Sequence, residues 1–143
     1  MSGLYGDSPR RLRDLLTTID SPHFRTIFDA ANFYKDGSRP FPDALLQLVE
    51  YVECVHVKDA RRTDDGRTEM VPLGTGDVDI PAIVRALASR GFDGWLSLEP
   101  HLSLDDPGEG LSGRDEFVRE ARSLTRILDQ LETDTASPGD GER

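Results

Sequence analysis

Apolar positions along this chain alternate between helical and strand spacing, and the alternation predicts its elements in order. Leu12, Leu15, Leu16 and Ile19 recur at helical spacing after a cap at Asp7 or Ser8 and a first-turn Pro9, which predicts a helix over 9–19. Ser21-Pro22 ends it, and residues 24–28 read as a short strand running into Asp29. A Gly-, Ser- and Pro-rich loop over 34–40 leads to a helix over 42–51 with Leu45, Leu48 and Val49 inward. Residues 52–57 are β-branched and apolar on both parities until His56 and Lys58, the pattern of a strand buried on both faces. A long polar loop over 58–78 ends in Pro-Leu-Gly-Thr-Gly-Asp. Asp77 or Asp79 then caps a helix over 80–90 with Ile80, Ile83, Val84 and Leu87 on one side and Gly91 as its stop. Residues 95–98 form a third strand delivering Glu99, and 100–111 a loop. The last helix starts at Ser112, with Asp115 in a capping-box-like position and Phe117, Ala121, Leu124, Leu128 and Leu131 on one face.

Strands alternating with helices imply an α/β fold with a parallel sheet. Each of the three strands ends in a residue able to bind a divalent metal, within the polar sets Asp29 and Asn32, then His56, Lys58 and Asp59, then Glu99 and His101. Each gap is long enough for a helix that returns the chain to a neighbouring parallel strand. Carboxyl ends of successive parallel strands are where α/β barrels build active sites.

Composition narrows the classes. The 143 residues suffice for one domain but fall short of the roughly 250 of a closed eight-stranded barrel. Hydrophobic content of 36% and charged content of 31% fit a globular chain, and no apolar run reaches the length of a membrane span. A net charge of −10 opposes nucleic acid and anionic membranes as partners. Cys54, alone in an apolar strand, reads as a small core residue, and the composition fits the cytoplasm. The domain is expected over 1–132, followed by a disordered acidic tail over 133–143.

An Asp, a His and a Glu at one rim form a mixed oxygen and nitrogen set suited to Mn²⁺, Mg²⁺, Co²⁺ or Zn²⁺. A metal there polarises a carbonyl and its neighbouring hydroxyl and lowers the cost of an enediolate. Lys58 shares a side with His56 and is placed to bind a substrate oxygen, and parity sets His101 with Glu99. Simpler readings stand beside these. Asp29 fits a helix cap, His56 a core histidine, Arg61 and Arg62 solvated loop residues rather than anion holders, and Gly74-Thr-Gly76 a tight turn rather than a phosphate cradle. Glu99 follows Trp-Leu-Ser-Leu and needs a partner, because an unpaired buried carboxylate is costly.

Phe-Asp-Ala-Ala-Asn-Phe, Val-His-Val-Lys-Asp-Ala, Pro-Leu-Gly-Thr-Gly-Asp-Val-Asp and Gly-Phe-Asp-Gly-Trp-Leu-Ser-Leu-Glu-Pro, in that order, resemble the C-terminal half of the sugar phosphate isomerase/epimerase family, the xylose isomerase-like TIM barrels. The resemblance implies a partial (β/α)8 barrel: its last three βα units and a leading helix. It implies metal ligation by Asp29, His56 and Glu99, with Glu99 also the catalytic acid/base. Lys58 joins Glu99 as a catalytic candidate by orienting substrate, and Asn32, Lys58, Arg61 and His101 are the substrate-binding candidates. Asn32 stands where relatives often carry His, which argues against a second metal and against the endonuclease IV branch. The strand that brings a first Glu in relatives has no counterpart before Tyr5, so a late start codon, a split gene or a degenerate copy is expected. The expected function is metal-dependent isomerisation or epimerisation of a sugar, sugar phosphate or polyol, with metal binding weak and activity low in the isolated chain. The alternative is a non-catalytic half-barrel that pairs with a complementing N-terminal half or with itself.

Overall fold

The computed structural model describes residues 5–100 and 113–136 of the chain. After a 3-10 turn at Tyr5–Asp7 come α1 (Pro9–Ile19), β1 (Thr26–Asp29), α2 (Ala30–Lys35) and a mixed helical stretch whose α-helical turn is α3 (Leu45–Leu48). Then follow β2 (Val52–Val57), β3 (Asp59–Arg62), β4 (Thr68–Val71), α4 (Ile80–Ala88), β5 (Trp95–Leu98) and α5 (Gly113–Ala136). No described helix is long and apolar enough to cross a membrane.

The sheet that carries the chemistry has three parallel strands in the order β1-β2-β5. Phe28, Val55 and Val57 are fully buried beneath the helices, and Leu96 and Leu98 pack at the edge of the same core. Phe28 is fixed further by Phe33, whose ring lies 5.5 Å away at 50°. The opposite face is open. It carries the row Ile27, Cys54 and Trp95, and Trp95 is 75% exposed. β2 is therefore covered on one face rather than two, and Cys54 is half-buried rather than a core residue.

Local chemistry sets the helix starts. The Ser8 hydroxyl accepts from the Arg11 amide with Pro9 in the first turn, and Asp79 caps α4 by accepting from Ala82. Asp79 does so with a positive φ of 58°. On α1, Leu16 is buried but Ile19 faces solvent.

Three segments depart from the expected pattern. Residues 30–35 form α2, because Asp29 caps them as soon as β1 ends. The expected loop over 58–78 contains an antiparallel hairpin, β3 with β4, turned through Thr63–Arg67 with Gly66 at a φ of 81°. On α5 the inward face is Glu116, Glu120, Leu124, Ile127 and Leu131, while Phe117 and Leu128 point outward. That rotation puts Glu120 Oε2 2.8 Å from the Leu73 amide, which it accepts beneath the loop after β4. The helix continues past Thr133 to Ala136, and residues 137–143 lie outside the described part.

Candidate metal centre

Parallel register brings the three strand ends into line. Asp29 pairs with His56 and His56 with Ser97, so those residues form one row across the sheet. Lys58 and Glu99 lie one row further on and on the same face, since side chains two residues apart share a face. The Glu99 amide donates to Val57 O at 3.1 Å, which carries the pairing past the end of β5.

At this rim His56 Nδ1 lies 3.0 Å from Glu99 Oε2 and 3.5 Å from Asp29 Oδ2. Lys58 Nζ donates to the same two oxygens, at 2.6 Å to Glu99 and 2.8 Å to Asp29. Asp29 also caps α2: Oδ1 accepts from the Asn32 amide at 3.0 Å, and Oδ2 accepts from Asn32 Nδ2 at 2.7 Å. Asp29 is thus the helix cap of the simpler reading and also an ion-pair partner of Lys58 at the rim.

The Lys58 side chain is 6% exposed, the least exposed of the rim. Burial pulls its pKa down, but hydrogen bonds to Asp29 and Glu99, aided by their charges, outweigh this and leave it above the usual lysine value. At neutral pH it is an ammonium between two carboxylates.

The donor types, two carboxylates and an imidazole, are ones that divalent cations take. One ligand atom from each of Asp29, His56 and Glu99 lies within 4.8 Å of the other two. Metal–donor bonds of about 2.0–2.2 Å meeting at 90–110° place donors roughly 3.0–3.5 Å apart, the range spanned by the two imidazole–carboxylate distances. All three side chains are partly exposed, so an ion has a route in.

Of the other candidates, Asn32 is at the rim through its bonds to Asp29. Arg61 lies on the hairpin, more than half exposed, with Nε 2.6 Å from Glu69 Oε1. His101 lies outside the described residues.

Asp59, read from the sequence only as a strand-end group, instead holds the next loop. It is 2% exposed, and its carboxylate accepts from the amides of Ala60, Gly74, Gly76 and Val78. The amides of the Gly74-Thr-Gly76 turn thus serve a carboxylate of the chain itself. A Cβ at Gly76 would collide with Asp59 Oδ1 and Ala60 O, so only glycine admits this approach. The signal was present in the sequence: Asp59 follows Lys58 and so faces the opposite side. Next to it, Asp77 Oδ2 accepts from the Tyr34 hydroxyl at 2.6 Å and the Arg62 amide at 2.8 Å, and the Arg62 guanidinium lies over the Tyr34 ring. These hydrogen bonds, from Tyr34 first, lower the Asp77 pKa, and the bond to Asp77 raises that of Tyr34.

Comparison with known proteins adds family context. The family profile described as xylose isomerase-like TIM barrel matches residues 1–132. An inosose dehydratase from Clostridium botulinum is 24% identical over 127 residues, covering 77% of this chain and 42% of its own. The crystal structure of a xylose isomerase domain protein from Planctomyces limnophilus superposes with a TM-score of 0.69 at 26% identity, over 93% of this chain and 46% of that one. A xylose isomerase-like TIM barrel protein from Mycobacterium smegmatis, in complex with magnesium, gives a TM-score of 0.69 at 18% identity, over 89% and 41% of the two chains. The chain therefore spans less than half the length of each of these proteins.

Proposed function

Because this chain belongs to the xylose isomerase-like TIM barrel family, with the fold of part of such a barrel, we propose that its rim is the metal-binding portion of a sugar or sugar-phosphate isomerase or epimerase site. The convergence of Asp29 Oδ2, His56 Nδ1 and Glu99 Oε2 is the observation that supports this reading. A divalent ion held there supplies Lewis acidity, polarising a substrate carbonyl and the hydroxyl beside it. The side chains of this chain do the rest. The Glu99 carboxylate, 36% exposed, is the rim's most accessible acid and takes a proton from carbon and returns it. Lys58 orients a substrate oxygen, and Asn32 fixes Asp29 through both the amide and the carboxamide. Magnesium in the M. smegmatis relative supports the choice of a divalent ion. The inosose dehydratase relative supports a polyol-like substrate, since dehydration beside a carbonyl starts from the same proton removal.

Metal titration tests this directly. Asp29→Asn, His56→Gln and Glu99→Gln should each weaken Zn²⁺ binding by about tenfold or more, as loss of one donor in three predicts. Unchanged affinity in all three would make these residues structural caps and partners.

A second reading, a half-barrel that assembles with another chain, draws on the open sheet face bearing Ile27 and Trp95. Size-exclusion chromatography separates the two readings: a monomer argues against assembly with itself.

A further inference from the structure

Resting on the metal-site reading, we propose that Lys58 is the resident cation of this rim and that a divalent ion loads in exchange for its ammonium rather than beside it. A carboxylate oxygen offers two lone pairs in its plane. Both directions at Asp29 Oδ2 are engaged, by Asn32 Nδ2 at 2.7 Å and by Lys58 Nζ at 2.8 Å. Oδ1 is committed to the Asn32 amide as the α2 cap. The Glu99 oxygen nearest His56, Oε2, is also the one that receives Lys58 Nζ at 2.6 Å. An ion seated between Asp29 Oδ2, His56 Nδ1 and Glu99 Oε2 therefore needs the two oxygens that the ammonium now holds.

One donor has to leave, and the structure distinguishes the two. Asn32 sits within the first turn of α2, and its side chain is tied to the residue that caps its own helix. Lys58 lies at the end of β2 on a flexible four-carbon stem, so its ammonium moves without unfolding a helix. Like charges at ion-pair distance also repel strongly in a half-buried site, which favours exchange over coexistence. The released ammonium remains at the rim, one row beyond His56, where a substrate oxygen would lie.

The test is calorimetric titration of the full 143-residue chain with Zn²⁺ alone, comparing wild type with Lys58→Met and Lys58→Gln, each first shown to be folded by circular dichroism. Removing a competing cation should tighten Zn²⁺ binding by about tenfold or more in both variants. The Zn²⁺-induced rise in Tm should also be larger than in wild type, because in wild type the ion replaces an ammonium that the variants lack. Equal or weaker Zn²⁺ affinity in the folded variants would overturn the exchange while leaving the metal site intact. Absence of a single stoichiometric site in all three proteins would overturn the metal reading and the exchange with it.

Discussion

Asp29 performs two tasks with its two oxygens, and substitution can separate them. Asn is as good an N-cap as Asp, so Asp29→Asn should keep α2 and lower stability by less than about 1 kcal/mol while weakening Zn²⁺ binding. Asp29→Ala loses the cap as well, at a cost of about 0.5–2 kcal/mol, readable in urea melts. The Tyr34–Asp77 hydrogen bond gives a pH-dependent counterpart away from the rim. The folded pKa of Tyr34 is raised from 10.0, so its stabilisation is complete below that value and is lost as pH rises through the folded pKa. The folded pKa of Asp77 is lowered from 3.8, so its stabilisation is complete above that value and is lost as pH falls through the folded pKa. The stability gap between wild type and Tyr34→Phe should thus be flat from about pH 5 to 9 and shrink on both sides. A gap that is constant across all pH would mean the hydroxyl contributes nothing through this bond. At this scale the sequence was informative where strand parity decides orientation: spacing alone put Lys58 on the side of His56, and the strand ends put Asp29, His56 and Glu99 at one rim. It was silent on pairing, since nothing local to Lys58 says that its ammonium reaches Asp29 and Glu99 at once.

Elements with strong periodicity, such as α1, α4 and β2, were legible to within a few residues. The hairpin β3–β4 was not, because its strands are polar and short, and Arg61-Arg62 and Thr68-Glu69 look like loop. The turn around Gly66 was the available clue. What holds the segment is Asp59, a single buried carboxylate drawing in four amides. Gly76→Ala should therefore cost about 1–3 kcal/mol in a urea melt, because the added methyl strikes Asp59 and the Ala60 carbonyl. A neutral result would show that the loop shifts freely. On α5, helical spacing fitted two overlapping stripes. The buried stripe includes Glu116 and Glu120, which a purely apolar count discards, and Glu120 earns its position by accepting the Leu73 amide.

For the whole molecule, the decisive feature is a sheet packed on one face and open on the other. Pattern alone suggested burial on both faces of β2, because a sequence does not reveal how many strands surround it. Trp95, the only tryptophan, reports on that face and is 75% exposed. Its fluorescence should be quenched by acrylamide nearly as efficiently as that of a free indole, and Trp95→Ser should change stability by no more than about 0.5 kcal/mol. Strong protection from quenching at concentrations where the chain self-associates would show a second copy covering the face.

The central proposal is that three groups from three strands share one ion. Anomalous diffraction at the zinc absorption edge from Zn²⁺-soaked crystals tests it most directly. The expected result is one dominant peak about 2.0–2.2 Å from Asp29 Oδ2, His56 Nδ1 and Glu99 Oε2, with Lys58 Nζ withdrawn from both carboxylates. A rim that stays zinc-free with Lys58 still bridging Asp29 and Glu99, while zinc binds elsewhere, would contradict it.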